Sequence, residues 1–234
     1  MGFPIDTVDW FILLCISKFF FIKMKNKNHL LAAVSLISII LLCGRVTFTE
    51  NFGGIFLTWN LFLAWVPFGI ACIVEDLAQH RFIHQRGVLL GAAAWLLFFP
   101  NAPYLITDLI HLRASPDHLI WYDALMSFSF ALAGLLTGFY SVLKIHALLE
   151  DYYSRITSWL LIGGSLVVAS YGIYLGRFGR WNSWHVATHP LSLVRYIGNN
   201  LLHNPVALQL TLAFSFVMLS TYGAFWVLAR SKAE

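Results

Sequence analysis

Six stretches of the chain contain no Asp, Glu, Lys or Arg: Asn28–Gly44, Asn51–Val74, Gly87–Thr107, Ala124–Leu143, Ile156–Gly176 and Tyr196–Ala229. A helix needs about 17–25 mostly apolar residues to cross the hydrocarbon of a bilayer. In the last stretch His203, Asn204 and Pro205 interrupt the apolar run, so the span is expected to start near Val206. The ten-residue alternation of a transmembrane β-barrel is missing. Backbone polar groups in lipid must be paired within the segment. The fold expected for residues 28–230 is therefore all-α, a polytopic transmembrane helix bundle of about six spans.

Composition agrees. Charged residues make up 11% of the chain and hydrophobic ones 59%, against about 25% charged in ordinary soluble domains. So few charges cannot coat a soluble globule of this size, which excludes an ordinary cytosolic enzyme, a nucleic-acid-binding protein and a disordered chain. The excess of 15 Lys+Arg over 11 Asp+Glu then reads as an orientation signal. The expected partners are membrane lipids and no nucleic acid, with a homo-oligomer or a protein partner left open. No cofactor motif is present. The three cysteines, Cys15, Cys43 and Cys72, sit in apolar stretches without a CxxC and read as small buried hydrophobes.

Residues 1–27 form an N-terminal extension or interfacial segment. Its apolar part, Trp10–Ile22, is short and interrupted by Lys18; a seventh span and a start at Met24 are the other readings. No small-residue cleavage site follows it, so a cleaved signal peptide is not expected. With the first span starting inside, Lys23, Lys25, Lys27, Arg81, Arg86, Lys144, Arg155, Arg230 and Lys232 lie inside, and Arg45, Arg113, Arg177, Arg180 and Arg195 outside. Nine against five places both termini in the cytoplasm of a cell with an inner (plasma) membrane. The longest polar connection, Phe178–Pro205, holds Leu191, Val194, Ile197 and Leu201 at helical spacing after Pro190, with Ser192, Asn199 and Asn200 opposite. This predicts a short amphipathic helix on the outer surface.

Two segments carry polar residues where they are costly, and this topology puts both at the outer face. In the third stretch Pro100 and Pro103 bracket Asn101 and Ala102. Residues Gly87–Phe99 reach only about 20 Å as a helix, so the chain is expected to break at Pro100 and resume as a helix through His111. Asn101, Tyr104, Asp108 and His111 then share a face at i, i+3, i+7 and i+10. Broken spans often line binding sites; a plain kink with Asn101 as helix cap is the other reading. The fifth stretch ends in Gly176-Arg-Phe-Gly-Arg-Trp-Asn-Ser-Trp184. Gly172 and Gly176 allow close approach of another helix. Arg180 either binds a ligand or snorkels to lipid phosphate. For Arg177 a carboxylate partner is expected, Asp108 first and Asp123 second. Such a contact near 4 Å is worth about 4 kcal/mol at an effective dielectric of 20, comparable to the insertion cost of about 2.5–3.5 kcal/mol for one charge.

Lesser features are Asn60 with Pro67, read as a kink and its polar satisfier, and Gly134 with Gly138, read as helix packing. Asp76, His80 and His84 read as a solvated helix end; His185 and His189, with Asp108 and His111, offer a metal-site alternative.

The blocks Phe99-Pro-Asn-Ala-Pro-Tyr-Leu-Ile-Thr-Asp-Leu-Ile-His-Leu112 and Gly176–Trp184 resemble the bacterial integral-membrane family known as domain of unknown function 1361, over roughly residues 28–230. The resemblance implies a multi-pass inner-membrane protein and no assigned reaction. It carries over to Pro100, Asn101, Pro103, Tyr104, Asp108 and His111, and to Gly176, Arg177, Arg180, Asn182, Ser183 and Trp184. The family commonly has an acidic residue after Asn-Ser-Trp; His185 stands there instead, which puts a metal or catalytic role for that position in doubt.

Four functions compete. The first is an outward-facing polar site for an anionic lipid or envelope-precursor group, with Arg177 and Arg180 on phosphate and Asn101, Tyr104, Asn182 and Ser183 orienting the ligand. A membrane-embedded hydrolase or transferase acting on a lipid-linked substrate would use Asp108 or His111 as general base. A small-solute transporter would use the broken span, though no matching second break or internal repeat supports it. In a structural subunit the motifs would serve packing alone.

Overall fold

The computed structural model describes residues 26–230, so the N-terminal extension read over residues 1–27 lies almost wholly outside the described residues. The helices are α1 (Asn26–Thr49), α2 (Phe56–Gln79), α3 (Gln85–Phe98), the one-turn α4 (Asn101–Tyr104), α5 (Ile120–Tyr152), α6 (Arg155–Gly179), the one-turn α7 (His185–Thr188), α8 (Pro190–His203) and α9 (Pro205–Arg230). Two 3-10 stretches, Leu105–Ala114 and Asp117–Leu119, lead from α4 into α5. Among the described residues six helical segments are long and apolar enough to cross a membrane, the third being the composite Gln85–Ala114. Large aliphatic and aromatic side chains such as Leu36, Ile40, Leu160 and Phe216 point outwards, as they do when the solvent is lipid and not water. The chain is built as a multi-pass helical membrane protein.

Helix α5 is the axis of the bundle. It is 33 residues long, about 50 Å at helical rise, and it packs against each of the other spanning segments. One side of it holds α1, α2, α3, α4 and the long 3-10 stretch; on the other, α6 and α9 pack mainly on one another. Two apolar cores follow. Leu57, Leu61, Leu105, Met126 and Phe130 fill the end where α1 finishes. Trp95, Phe139, Ile145, Leu166 and Tyr222 fill the rest.

Several polar residues inside this packing are paired. The indole of Trp95, 1% exposed, donates to Ser141 Oγ at 2.9 Å. Ser141→Ala strands that buried N–H, and we expect it to lose about 1–3 kcal/mol of stability in detergent unfolding, the cost of an unsatisfied buried donor. Lys144 bonds Glu75 and Arg230 bonds Glu150, tying α5 to α2 and to α9 at the end opposite Arg177. Cys43 is exposed on the outside of α1, against the reading of it as buried, and Cys72 is half-buried; Cys15 lies outside the described residues.

The third span breaks where Pro100 stands, but it does not resume as the α-helix expected through His111. After Tyr104 it tightens into ten residues of 3-10 helix, a long run for that geometry. The cause lies in a competing donor. The Thr107 hydroxyl takes the Tyr104 carbonyl at 2.7 Å, and Arg177 Nη2 takes the Thr107 carbonyl at 2.9 Å. Hydroxyl bonds of the first kind occur within α1, α2 and α5 as well, so it is the guanidinium that draws the Thr107 carbonyl away from the i+4 amide an α-helix would give it.

Helix α8 forms where the spacing put it, with a different side inwards. Leu193 is buried and Ile197 half-buried, whereas Leu191 and Val194 are exposed. Polar groups beneath decide the roll of the helix: Asn200 Oδ1 accepts from Tyr174 OH at 2.9 Å and from Asn204 Nδ2 at 3.1 Å.

Candidate functional site

The two unusual segments meet. Helix α6 runs past the break in the third span, and its glycines set the distance. A β-carbon on Gly172 would lie 2.8 Å from Pro100 Cγ, and one on Gly176 3.2 Å from the Tyr104 ring. One turn beyond, α6 ends in a left-handed turn, with the amides of Arg180 and Trp181 both on the Leu175 carbonyl. Arg180 holds the left-handed position at φ 54°, which glycine normally fills because a side chain is strained there. The turn throws Trp181, Asn182 and Ser183 back over the break.

Asn101 and Ser183 close it. Ser183 donates to the Leu97 carbonyl at 2.8 Å. Asn101 Nδ2 reaches the Phe98 carbonyl at 2.9 Å and Ser183 Oγ at 3.2 Å. Asn101 therefore satisfies the end of α3 behind it and does not cap the segment ahead, contrary to the capping alternative.

Arg177 lies at the centre of a second group. Its Nη1 reaches Asp108 Oδ1 at 3.1 Å and Tyr104 OH at 3.3 Å; its Nη2 reaches the Thr107 carbonyl at 2.9 Å and His111 Nε2 at 3.3 Å. In 3-10 geometry, three residues per turn, Asp108 and His111 share one ridge and Tyr104 and Thr107 the next. The flat guanidinium spans both. Asp108 is 2% exposed, and its other oxygen accepts from Asn60 Nδ2 at 2.8 Å. Asn60 thus serves Asp108 and not the kink at Pro67 proposed for it. Four donor contacts engage both terminal nitrogens of Arg177, whereas Arg180 is exposed and makes no ion pair among the described residues. His111 is half exposed and edge-on to Phe56.

A second ion pair stands beside the first. Arg45 Nε lies 2.6 Å from Asp123 Oδ1 and Nη2 3.3 Å from Oδ2, and the same side chain bonds Thr49. Asp123, the alternative partner for Arg177, is therefore Arg45's. The signal was in the sequence: Arg45, Asp108, Asp123 and Arg177 each border an apolar stretch at the same end of the bundle. Asn60 carried no such signal, since a lone amide within a span has many uses.

Two cavities flank Asp108. The larger, about 450 Å³, lies between α2 and α3 on one side and α6 on the other, beneath Leu193 and Ile197 of α8. Its polar lining is Asn60, Asn101, Tyr104, Tyr171, Asn182 and Ser183, and no charged side chain lines it. The smaller, about 230 Å³, is lined by Arg45, Asp108, His111, Ser115 and Asp123. His185 turns to the Asn182 amide at 3.0 Å. Among the described residues no three His, Cys, Asp or Glu side chains gather closely enough to hold a metal ion, so the alternative built on His185 and His189 with Asp108 and His111 is not assembled.

No curated protein and no solved structure matches the chain. Residues 59–221, which hold Asn60, the broken third span and the Arg177 segment together, match the model of the family described as protein of unknown function (DUF1361), and the chain belongs to that family.

Proposed function

We propose that the larger cavity is an outward-facing binding site for the head of a membrane amphiphile, a lipid or a lipid-linked envelope precursor. The observation that carries this reading is the cavity's division. Leu63, Ala93, Leu96 and Val168 form an apolar wall, while Asn101, Tyr104, Asn182 and Ser183 supply polar groups near the break. An apolar pocket with a few convergent polar groups is the usual form of a small-molecule site. Trp59 and Val168 are largely exposed on the outside of α2 and α6, which gives an alkyl chain a way in from the bilayer. In this reading the protein sits in the inner (plasma) membrane with both termini cytoplasmic, as the Lys and Arg distribution favours. The anionic part of the head meets Arg180, and the Asp108–Arg177 pair holds the wall.

The geometry favours positioning over general-base chemistry for Asp108, because both carboxylate oxygens already accept hydrogen bonds.

Filling the cavity tests the reading. Ala93 is exposed to the cavity and makes no polar contact in the site, so Ala93→Trp occupies the space and leaves the polar network in place. In native mass spectrometry of gently extracted protein we expect the wild type to retain a lipid and Ala93→Trp to lose it, with both melting alike. Equal retention by the two proteins overturns the reading.

A further inference from the structure

We infer that the group seated in the larger cavity is a sugar, which makes the ligand a glycosylated lipid; this rests on the amphiphile-binding reading above. The polar atoms left free in the lining decide what can sit there. Asn60 must turn its amide nitrogen to Asp108, because a carboxylate only accepts. Asn101 must turn its nitrogen to the Phe98 carbonyl for the same reason. Asn101, whose second N–H goes to Ser183 Oγ, is left with its Oδ1, an acceptor, while Asn60 keeps its Oδ1 and one N–H. The Asn182 side chain, exposed at the mouth, offers both a donor and an acceptor. Tyr104 OH accepts from Arg177 and keeps its own proton to donate.

A phosphate presents acceptors and negative charge. No cation lines the cavity, so the phosphate charge would be desolvated against a few neutral donors and facing two amide oxygens, which is costly. Sugar hydroxyls donate and accept at once, so they match acceptors at Asn60 and Asn101 and a donor at Tyr104. The remaining walls suit a sugar ring as well. Trp59 and Trp181 line the cavity from α2 and from the turn after α6, and the electron-rich face of an indole attracts the slightly positive C–H bonds of a pyranose. Trp181 is half-buried in the cavity wall, and Trp59 stands at its lipid-facing edge. A volume of about 450 Å³ lies in the range of small-molecule pockets.

The test uses the full chain in a polyoxyethylene detergent, which carries neither sugar nor charge. Three probes with the same chain, dodecyl maltoside, dodecyl phosphate and dodecanol, are added below micelle-forming concentration. Binding is counted by native mass spectrometry for wild type, Trp181→Leu, Trp181→Phe and Asn182→Leu. We expect dodecyl maltoside to bind about tenfold more tightly than either other probe, the worth of one or two net hydrogen bonds. Trp181→Leu and Asn182→Leu should each lose most of that preference, and Trp181→Phe should keep it. Asn182 is exposed, so its variant folds even if the Trp181 variants do not. Preferred binding of dodecyl phosphate overturns the sugar assignment and leaves the amphiphile site standing. Equal binding of all three probes, unchanged in Ala93→Trp, removes both.

Discussion

Arg177→Gln is expected to lose about 3–5 kcal/mol of stability, the usual cost of removing one partner of a buried ion pair. The carboxylate it abandons is 2% exposed and keeps a single neutral donor, Asn60. The Thr107 carbonyl loses its charged donor in the same step. Reversible unfolding in mixed micelles measures the loss. Adding Asp108→Asn to Arg177→Gln should recover part of it, because the stranded charge is then gone, and the cycle should give a coupling of about 0.5–3 kcal/mol. Arg177→Lys should behave like the glutamine variant: a single ammonium cannot bridge two ridges of the 3-10 stretch as the guanidinium fork does. Unfolding of Arg177→Gln within about 0.5 kcal/mol of wild type, the range of ordinary surface substitutions, would show that the pair does not hold α6 to the third span.

The second large effect is expected at Gly134. A β-carbon there would lie 2.6 Å from the Ala102 carbonyl oxygen and 2.6 Å from Leu105 Cδ1. The leucine can turn away, but the carbonyl belongs to backbone held between two prolines. Gly134→Ala should therefore push the broken segment off α5 and cost about 1–3 kcal/mol or more, the range for overpacked cores. Gly164 is the control, since a β-carbon there meets nothing within 4 Å. Gly164→Ala should be neutral or should stabilise by about 0.5–1 kcal/mol through the helix preference of alanine. Because Gly134 supports the segment that carries Asp108, its variant should also weaken ligand retention, which Gly164→Ala should leave intact. Paired melting and native mass spectra of the two variants separate these outcomes.

The spans were legible because hydrophobic length is a one-dimensional property. All six apolar stretches become spanning helices or parts of them, and α9 starts at Pro205, beside the expected Val206. The break at Pro100 was legible for a similar reason: proline removes its donor wherever it stands. The Asp108–Arg177 pair was half legible. Charges bordering stretches at one end must share a depth, but depth alone does not say which aspartate meets which arginine.

What followed the break was not legible. Helical spacing put Asn101, Tyr104, Asp108 and His111 on one face, and the 3-10 stretch splits them over two ridges. That outcome depends on Arg177, 70 residues away in sequence from the Thr107 carbonyl it takes. The roll of α8 likewise depends on Tyr174 and Asn204 beneath it, and the role of Asn60 on a carboxylate 48 residues further on.

By itself, then, the sequence determined the solvent, the number of spans, the place of the break and the end of the bundle where the charges gather. Each of these follows from local composition and from the bilayer's demand that backbone groups be paired within a segment. Only the tertiary structure decided which donors reach which carbonyls, and so the 3-10 geometry, the partner of each ion pair and the uncharged lining of the cavity. Hydrogen bonds are short and directional, and their partners here lie on different helices, whose rotations about their axes no periodicity in the chain records.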